Sequence, residues 1–479
     1  MKLGCFLPLF LAVAGRGLFL NAQPGGTFTA TGNMTTPRAD HTATLLPNGK
    51  VLIAGGVQQA FPSTVLASAE LYDPATGSFT PTGDMSSPRE GHSAVLLADG
   101  RVLIAGGRSA TQNLVSVELY DPSTGTFSPA GVLQAPIWQL QIAALLSDGR
   151  VLLTGCAVPC NSAIAELYDP VAGTFSQTGV PSAAGATTLL ADGRVLVAGG
   201  GCAPDGSGAA QVFDPGTGTF RDTGRLPNAC DDINTATLLM NGEVLFVGNE
   251  ENDGTPAGAE LYNPAAGAFT TLGHALGSHE FATGTLLPDG TALITGGQLP
   301  GGNGEVISEL YAPVNGSFSL TPNMIVGRHA HTATLLPDGT VLIAGGFGLW
   351  PSPTPSTELY HPAVPVPGPL LFSLSGDGQG QAAIWHASTG QIASADTPAV
   401  SGEALSMYTT SLFEGGLIPP QVAIGGTLAE ILYFGDAPGF PGYNQVNFRV
   451  PGGIVPGPAV SVRLTYIGRS SNSVTIGLQ

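Results

Sequence analysis

The chain of 479 residues is nearly without lysine: Lys2 and Lys50 are the whole supply, and charged residues make up only 10% of it. Its formal net charge is -19. A surface this acidic repels phosphate backbones and anionic headgroups, which excludes nucleic acid and acidic membranes as partners. Beyond residue 22 there is no long apolar run, so no later segment has the length to span a bilayer. Heptads and blocks of like charge are also missing. So are a nucleophile elbow, a phosphate-binding glycine loop and a zinc-type His motif. "GGGCAPDG" is rich in glycine, but it follows a hairpin strand and opens no helix.

Glycine (69) and proline (39) are abundant, yet 43% of residues are hydrophobic and fall in short regular runs. That combination predicts a packed, turn-rich protein rather than a disordered one. The N-terminus, "MKLGCFLPLFLAVAGRGLFLNAQ", places one basic residue before an apolar stretch and small residues at "LNA". It reads as a signal peptide over residues 1–22, cleaved after Ala22, with "AVA" ending at Ala14 as a second possible site. The protein is therefore expected to be secreted or held at the cell surface. Removing Cys5 leaves Cys156, Cys160, Cys202 and Cys230. Four cysteines in an oxidising compartment suggest two disulfides with three possible pairings. Pairs 156–160 and 202–230 are the simplest solution.

One pattern dominates. An apolar run such as "VLIAGG" recurs with its last residue at Gly56, Gly107, Cys156, Gly200, Asn249, Gly297 and Gly346. A second element, "ELYDP" or a variant, begins at Glu70, Glu118, Glu166, Gln211, Glu260, Glu309 and Glu358. Both series have seven members at a period of about 45–50 residues, the range of propeller blades. Each unit resolves into four strands. The first two are joined by Asn-Gly or Asp-Gly, which suits a type I′ hairpin because both turn residues need positive φ. The second strand is continuously apolar, so both of its faces are expected to be buried between stacked sheets. Thr27–Gly32 is a fourth strand with no unit before it, and the last unit lacks a fourth strand. The N-terminal strand is thus expected to complete the last blade and close the ring, which removes exposed sheet edges.

The order Arg, His, Asp-Gly turn, apolar strand with Gly-Gly, and Tyr-Asp-Pro before an aromatic strand resembles the Kelch-repeat family of β-propellers. The resemblance covers about Thr27 to Pro362 and implies an all-β, seven-bladed propeller over residues 23–362. It leaves function open, because such propellers include binding scaffolds and enzymes. "AVPVPGP" reads as an extended linker over 363–369. From about Leu370, short strands between Gly and Pro turns suggest an Ig-like β-sandwich over 370–479. "APGFPGYNQVNFRVPGG" followed by "SNSVTIGLQ" is similar to a C-terminal domain found on many secreted acidobacterial proteins, which implies an accessory, surface or sorting role.

Counting back from each Asp/Asn-Gly turn places Arg38, Arg89 and Arg328 ten positions before it, and His41, His92 and His331 seven before it. These pairs fall in the seventh, first and second units, which are neighbours in a closed ring. Two readings follow. The arginines form one basic arc at the channel mouth and hold a carboxylate or sulfate. Alternatively, each Arg and His braces its own blade, as repeated residues usually do. On the same face Trp138 is placed to stack on a sugar ring, and His279 and Glu280, with His329 nearby, to form an acid–base or metal cluster. Asp231, Asp232, Glu250, Glu251 and Asp253 would suit Ca²⁺, although the loop lacks the spacing of a calcium loop. No other cofactor is expected.

Kelch-type propellers also include copper radical oxidases of the galactose-oxidase type. Their chemistry uses tyrosines at the site. Here Tyr72, Tyr120, Tyr168, Tyr262, Tyr311 and Tyr360 all belong to the "ELYxP" repeat, so such a site is discounted. Three functions stay open: a secreted module that binds a carbohydrate or protein; a polysaccharide lyase or hydrolase at the Arg/His mouth; and a structural envelope scaffold.

Overall fold

A computed structural model describes residues 25–61, 63–135, 137–157, 162–182, 185–202, 208–227, 233–248 and 257–479. The signal-peptide reading falls on residues outside these. Up to His361, the described residues form seven four-stranded antiparallel sheets. In the first blade the order is Thr42–Leu45, Val51–Ala54, Ala69–Asp73 and Ser78–Pro81. The first strands of neighbouring blades lie side by side around a closed ring, and the last meets the first. The expected closure is found: Thr27–Ala30 pairs antiparallel with Thr357–His361, with Thr27 opposite His361 and Ala30 opposite Glu358.

The continuous apolar second strands explain the stacking. Val51 and Ile53 face the seventh blade, where they meet Leu342 and Ala344. Leu52 and Ala54, pointing the other way, meet Val102 and Ile104 of the second blade. The same alternation repeats round the ring, giving one apolar cluster at each junction between blades. Each blade is held by its neighbours, not by a central core, as expected of stacked repeats.

Residues beyond the linker form a two-sheet sandwich. One sheet holds Ile384–His386, Ala404–Thr409, Asn444–Arg449 and Glu430–Asp436; the other is built on Gln421–Ile424 and Gly457–Tyr466. Leu405, Met407, Val446 and Phe448 pack against Val422, Ile424, Val462 and Leu464 between them. This domain sits on the face of the propeller that carries the hairpin turns. Arg463 donates to the Ala98 carbonyl (2.9 Å), and Leu417 N–H donates to the Met240 carbonyl (2.7 Å). Met240 itself belongs to the sandwich core. Arg469, fully buried, donates to Val366 O of the linker (2.6 Å). Between the two domains lies a chamber of about 1510 Å³, lined by the channel ends of the first strands and by residues such as Ile418, Ile431 and Phe434. The sandwich therefore covers one mouth of the channel, and among the described residues no domain covers the opposite mouth.

Candidate functional site

The open mouth lies at the end of the first strands away from the hairpin turns, where the Arg and His positions converge. The structure corrects the expected basic arc. Arg38, Arg89 and Arg328 are fully buried. Each guanidinium is bound within its own blade, to Glu70 (2.7 Å), Glu118 (2.6 Å) or Glu358 (2.6 Å). Each also donates to the carbonyl of the first glycine of the pair, Gly55, Gly106 or Gly345, and to a serine carbonyl on the third strand. The same carboxylates accept backbone N–H groups of the incoming loop: Thr35, Ser86 and Ile325. A buried guanidinium held by these three bonds and by the hydroxyl of the same serine is a brace and offers nothing to a solute.

The histidines join blades. His41 shares a hydrogen bond with Thr332 of the seventh blade (3.1 Å), His92 with Thr42 of the first (3.0 Å), and His331 with Thr283 of the sixth (3.1 Å). Burial, together with nearby guanidinium charge, holds the rings neutral: His92 is lowered to about 3, and His41 and His331 lie well below the ordinary value. The glycine pair makes room for them. Gly55 has φ +63, and a Cβ there would stand 2.8 Å from Cε1 of His92 and 2.5 Å from the Arg89 carbonyl.

His279 occupies the arginine position in the sixth blade and takes over its role. It is fully buried, bound to the Gly296 carbonyl (2.7 Å) and to Glu309. His329, 2% exposed, stacks on Phe347 with ring centroids 5.2 Å apart. Trp138 lies in the strand Ile137–Leu145, opposite Cys156, but its side chain is outside what the structure describes. So are the side chains of the four cysteines and the whole of Asp231, Asp232, Glu250, Glu251 and Asp253. Among the described residues, no group of three or more His, Cys, Asp or Glu is placed to hold a metal ion.

The residues that do reach the open mouth lie between the arginine and the histidine. Asp40, Ala330 and Phe281 have φ of 51°, 51° and 55°, and Gly91 at the same place has 58°. Left-handed backbone at three residues other than glycine persists only where the surroundings impose it. Here a chain of bonds imposes it: Ala330 N–H to Phe281 O (3.1 Å), Asp40 N–H to Ala330 O (3.1 Å), and Gly91 N–H to Asp40 O (3.0 Å). Four adjacent blades are thereby tied rim to rim.

Asp40 stands at this rim with part of its surface open to water and its carboxylate set among protein groups. Enclosure by the protein and the charge of Glu90 raise it to about 7, with Arg108 acting in the opposite sense. Glu90, buried, is bound to Arg108 at 2.7 Å, and the arginine is half exposed. Beside this group stands an aromatic cluster. Trp350 (44% exposed) lies 4.8 Å from Phe347, 6.2 Å from His329 and 6.0 Å from Phe61, which is 68% exposed.

A Kelch motif model matches residues 91–131, the second blade. No curated protein sequence matches the chain. Among solved structures, the chain is similar to a fungal alcohol oxidase of the AA5 family in complex with copper: 18% identity, 96% of this chain and 100% of that one covered, TM-score 0.61. At that identity the likeness is one of fold, and the fold it shows contains a β-propeller. Among the described residues no helix is long and apolar enough to cross a membrane.

Sequence reasoning missed Asp40, Glu90, Arg108, Phe61 and Trp350. The available signal was non-repetition. Asp40 stands where other units have Gly91 or Ala330, and Phe61 and Trp350 sit in loops of unequal length between Gly-Gly and "ELYxP".

Proposed function

We propose that this is an exported binding protein whose open propeller mouth holds an extracellular carbohydrate or protein partner. The observation that carries this reading is the rim itself. Three strained non-glycine residues, the Asp40 carboxylate, an Arg–Glu pair and exposed aromatic rings lie together on one rim, and strained backbone and unrepeated polar groups cluster at functional sites. The test is a melting-point screen of the mature chain with glycans, because a ligand that binds only the folded state raises the midpoint. Asp40→Asn and Glu90→Gln should each weaken a binder about tenfold or more, the effect of losing a hydrogen bond to a charged group. Unchanged affinity in both variants would remove the mouth as the site and leave a scaffold role.

One observation favours a second reading. A carboxylic acid raised to about 7 is poised to give and take protons near neutral pH; Asp40 is such a group. A polysaccharide lyase or hydrolase would use it, and new chain ends released by the protein but not by Asp40→Asn would support that.

The copper of the oxidase does not carry over. The six propeller tyrosines are buried, and Tyr72, Tyr120, Tyr168, Tyr262 and Tyr311 pack on phenylalanines of their own blades while Tyr360 packs on Phe28 of the closing strand. His41, His92 and His331 are engaged between blades. None of these donors faces the open mouth, so no step is derived through a metal.

A further inference from the structure

We infer that Trp350 and Phe61 form a stacking subsite for an uncharged sugar ring at the rim of the open mouth. This inference rests on the reading that the mouth is the binding surface, and it names the class of ligand.

The two rings come from separate blades. Phe61 caps the hairpin Val57–Gln59 and Thr64–Val65, and Trp350 caps Phe347–Leu349 and Ser352–Pro353. The hairpins pack against each other, which sets the rings edge to face at 77°. A third blade supports the indole from below. Gly302 of the sixth blade has φ +87, and a Cβ there would lie 3.1 Å from Cγ of Trp350. The neighbouring Gly304 N–H donates to Gly348 O (2.9 Å) and holds that loop in place. Gln59 Nε2 donates to Phe61 O (2.8 Å) and fixes the other turn. Large aromatic rings held this firmly, yet left open to water, forgo burial that the rest of the fold obtains. Their flat apolar faces match the C–H face of a pyranose, and the polar rim beside them matches its hydroxyls.

Charge selects the kind of sugar. Among the described residues, Asp40, Glu90 and Glu280 place acidic groups on this face, and Arg108 is bound to Glu90. His329 beneath the platform is lowered to about 4 by burial, so it is uncharged at neutral pH. Arg38, Arg89 and Arg328 are sealed inside the blades. Arg101, Arg150 and Arg194 are tied to aspartates in the hairpin turns of the other face. None of these arginines is free to compensate a uronate or a sulfate beside Trp350 and Phe61, which turns the preference from acidic to neutral glycans.

The test is calorimetric titration of the full mature chain with neutral hexasaccharides of glucose, xylose and mannose, and with a galacturonate oligomer. At least one neutral oligomer should bind, and the galacturonate should not. Trp350→Ala and Phe61→Ala should each lower that affinity about fivefold or more, with Trp350→Phe in between. Phe61 is 68% exposed, so its variant should melt at the parent midpoint, and Trp350→Phe, which keeps a ring beside Phe347, should melt close to it. Neutral binding that is unchanged in Trp350→Ala but lost in Asp40→Asn would overturn the platform and keep the mouth. Binding unchanged in all variants would overturn both. Binding of galacturonate alone, or of no probe, would overturn the neutral-sugar assignment.

Discussion

At the scale of the residue, the arginines show how one repeated position serves the repeat. Arg89 is charged, sealed from water and compensated by Glu118 at 2.6 Å. Removing one member of a buried pair leaves the other charge without compensation, at a cost of about 3–5 kcal/mol. Arg89→Ala should therefore lower unfolding free energy by roughly that amount, as measured by urea denaturation, with no change in glycan binding beyond the loss of folded protein. A loss of binding at full stability would restore the basic arc. Asp40 is the counterexample. It occupies a repeated place in the chain but has an unrepeated side chain, and that residue stands at the rim of the mouth.

At the scale of the element, most of the fold was legible. The Asp-Gly and Asn-Gly pairs mark hairpins, and the apolar second strands must be buried on both faces; the residue pattern of each blade follows from these two facts. The direction of the arginines was not legible from spacing alone. Counting from the turn placed them at the open end, but burial depends on a partner thirty residues away. That partner was nevertheless in view: each Arg-bearing unit also has a Glu at the start of "ELYxP". The aromatic platform escaped because it lies in hairpins that the repeat does not specify. The closing strand was inferred from a missing fourth strand, and its role makes a further test possible. Deleting Thr27–Ala30 would bare the edge of Thr357–His361. Exposed edges recruit other chains, so the truncated protein should self-associate in light scattering while the full chain does not.

At the scale of the whole molecule, acid should loosen one sector of the ring. His41, His92 and His331 join the sixth, seventh, first and second blades as neutral rings, and Nδ1 of each lacks an acceptor among the described residues. In the unfolded chain they take up a proton near the ordinary value of 6.5, whereas folded His92 resists until about 3. The unfolded state then binds more protons, so stability falls as pH drops through this window. The midpoint should decline between pH 6.5 and 3, and His92→Gln should flatten the decline. A midpoint independent of pH there would mean that the rings are protonated in the fold.

The closing strand also sets an order of events in time. Its residues leave the ribosome before those of the seven blades, yet their partners, ending at His361, come more than three hundred residues later. Pairing across so long a stretch of chain is slow. The seventh blade, which contributes Ala330, His329 and Trp350 to the open mouth, is therefore expected to be assembled last, and the mouth is complete only once the circle is closed.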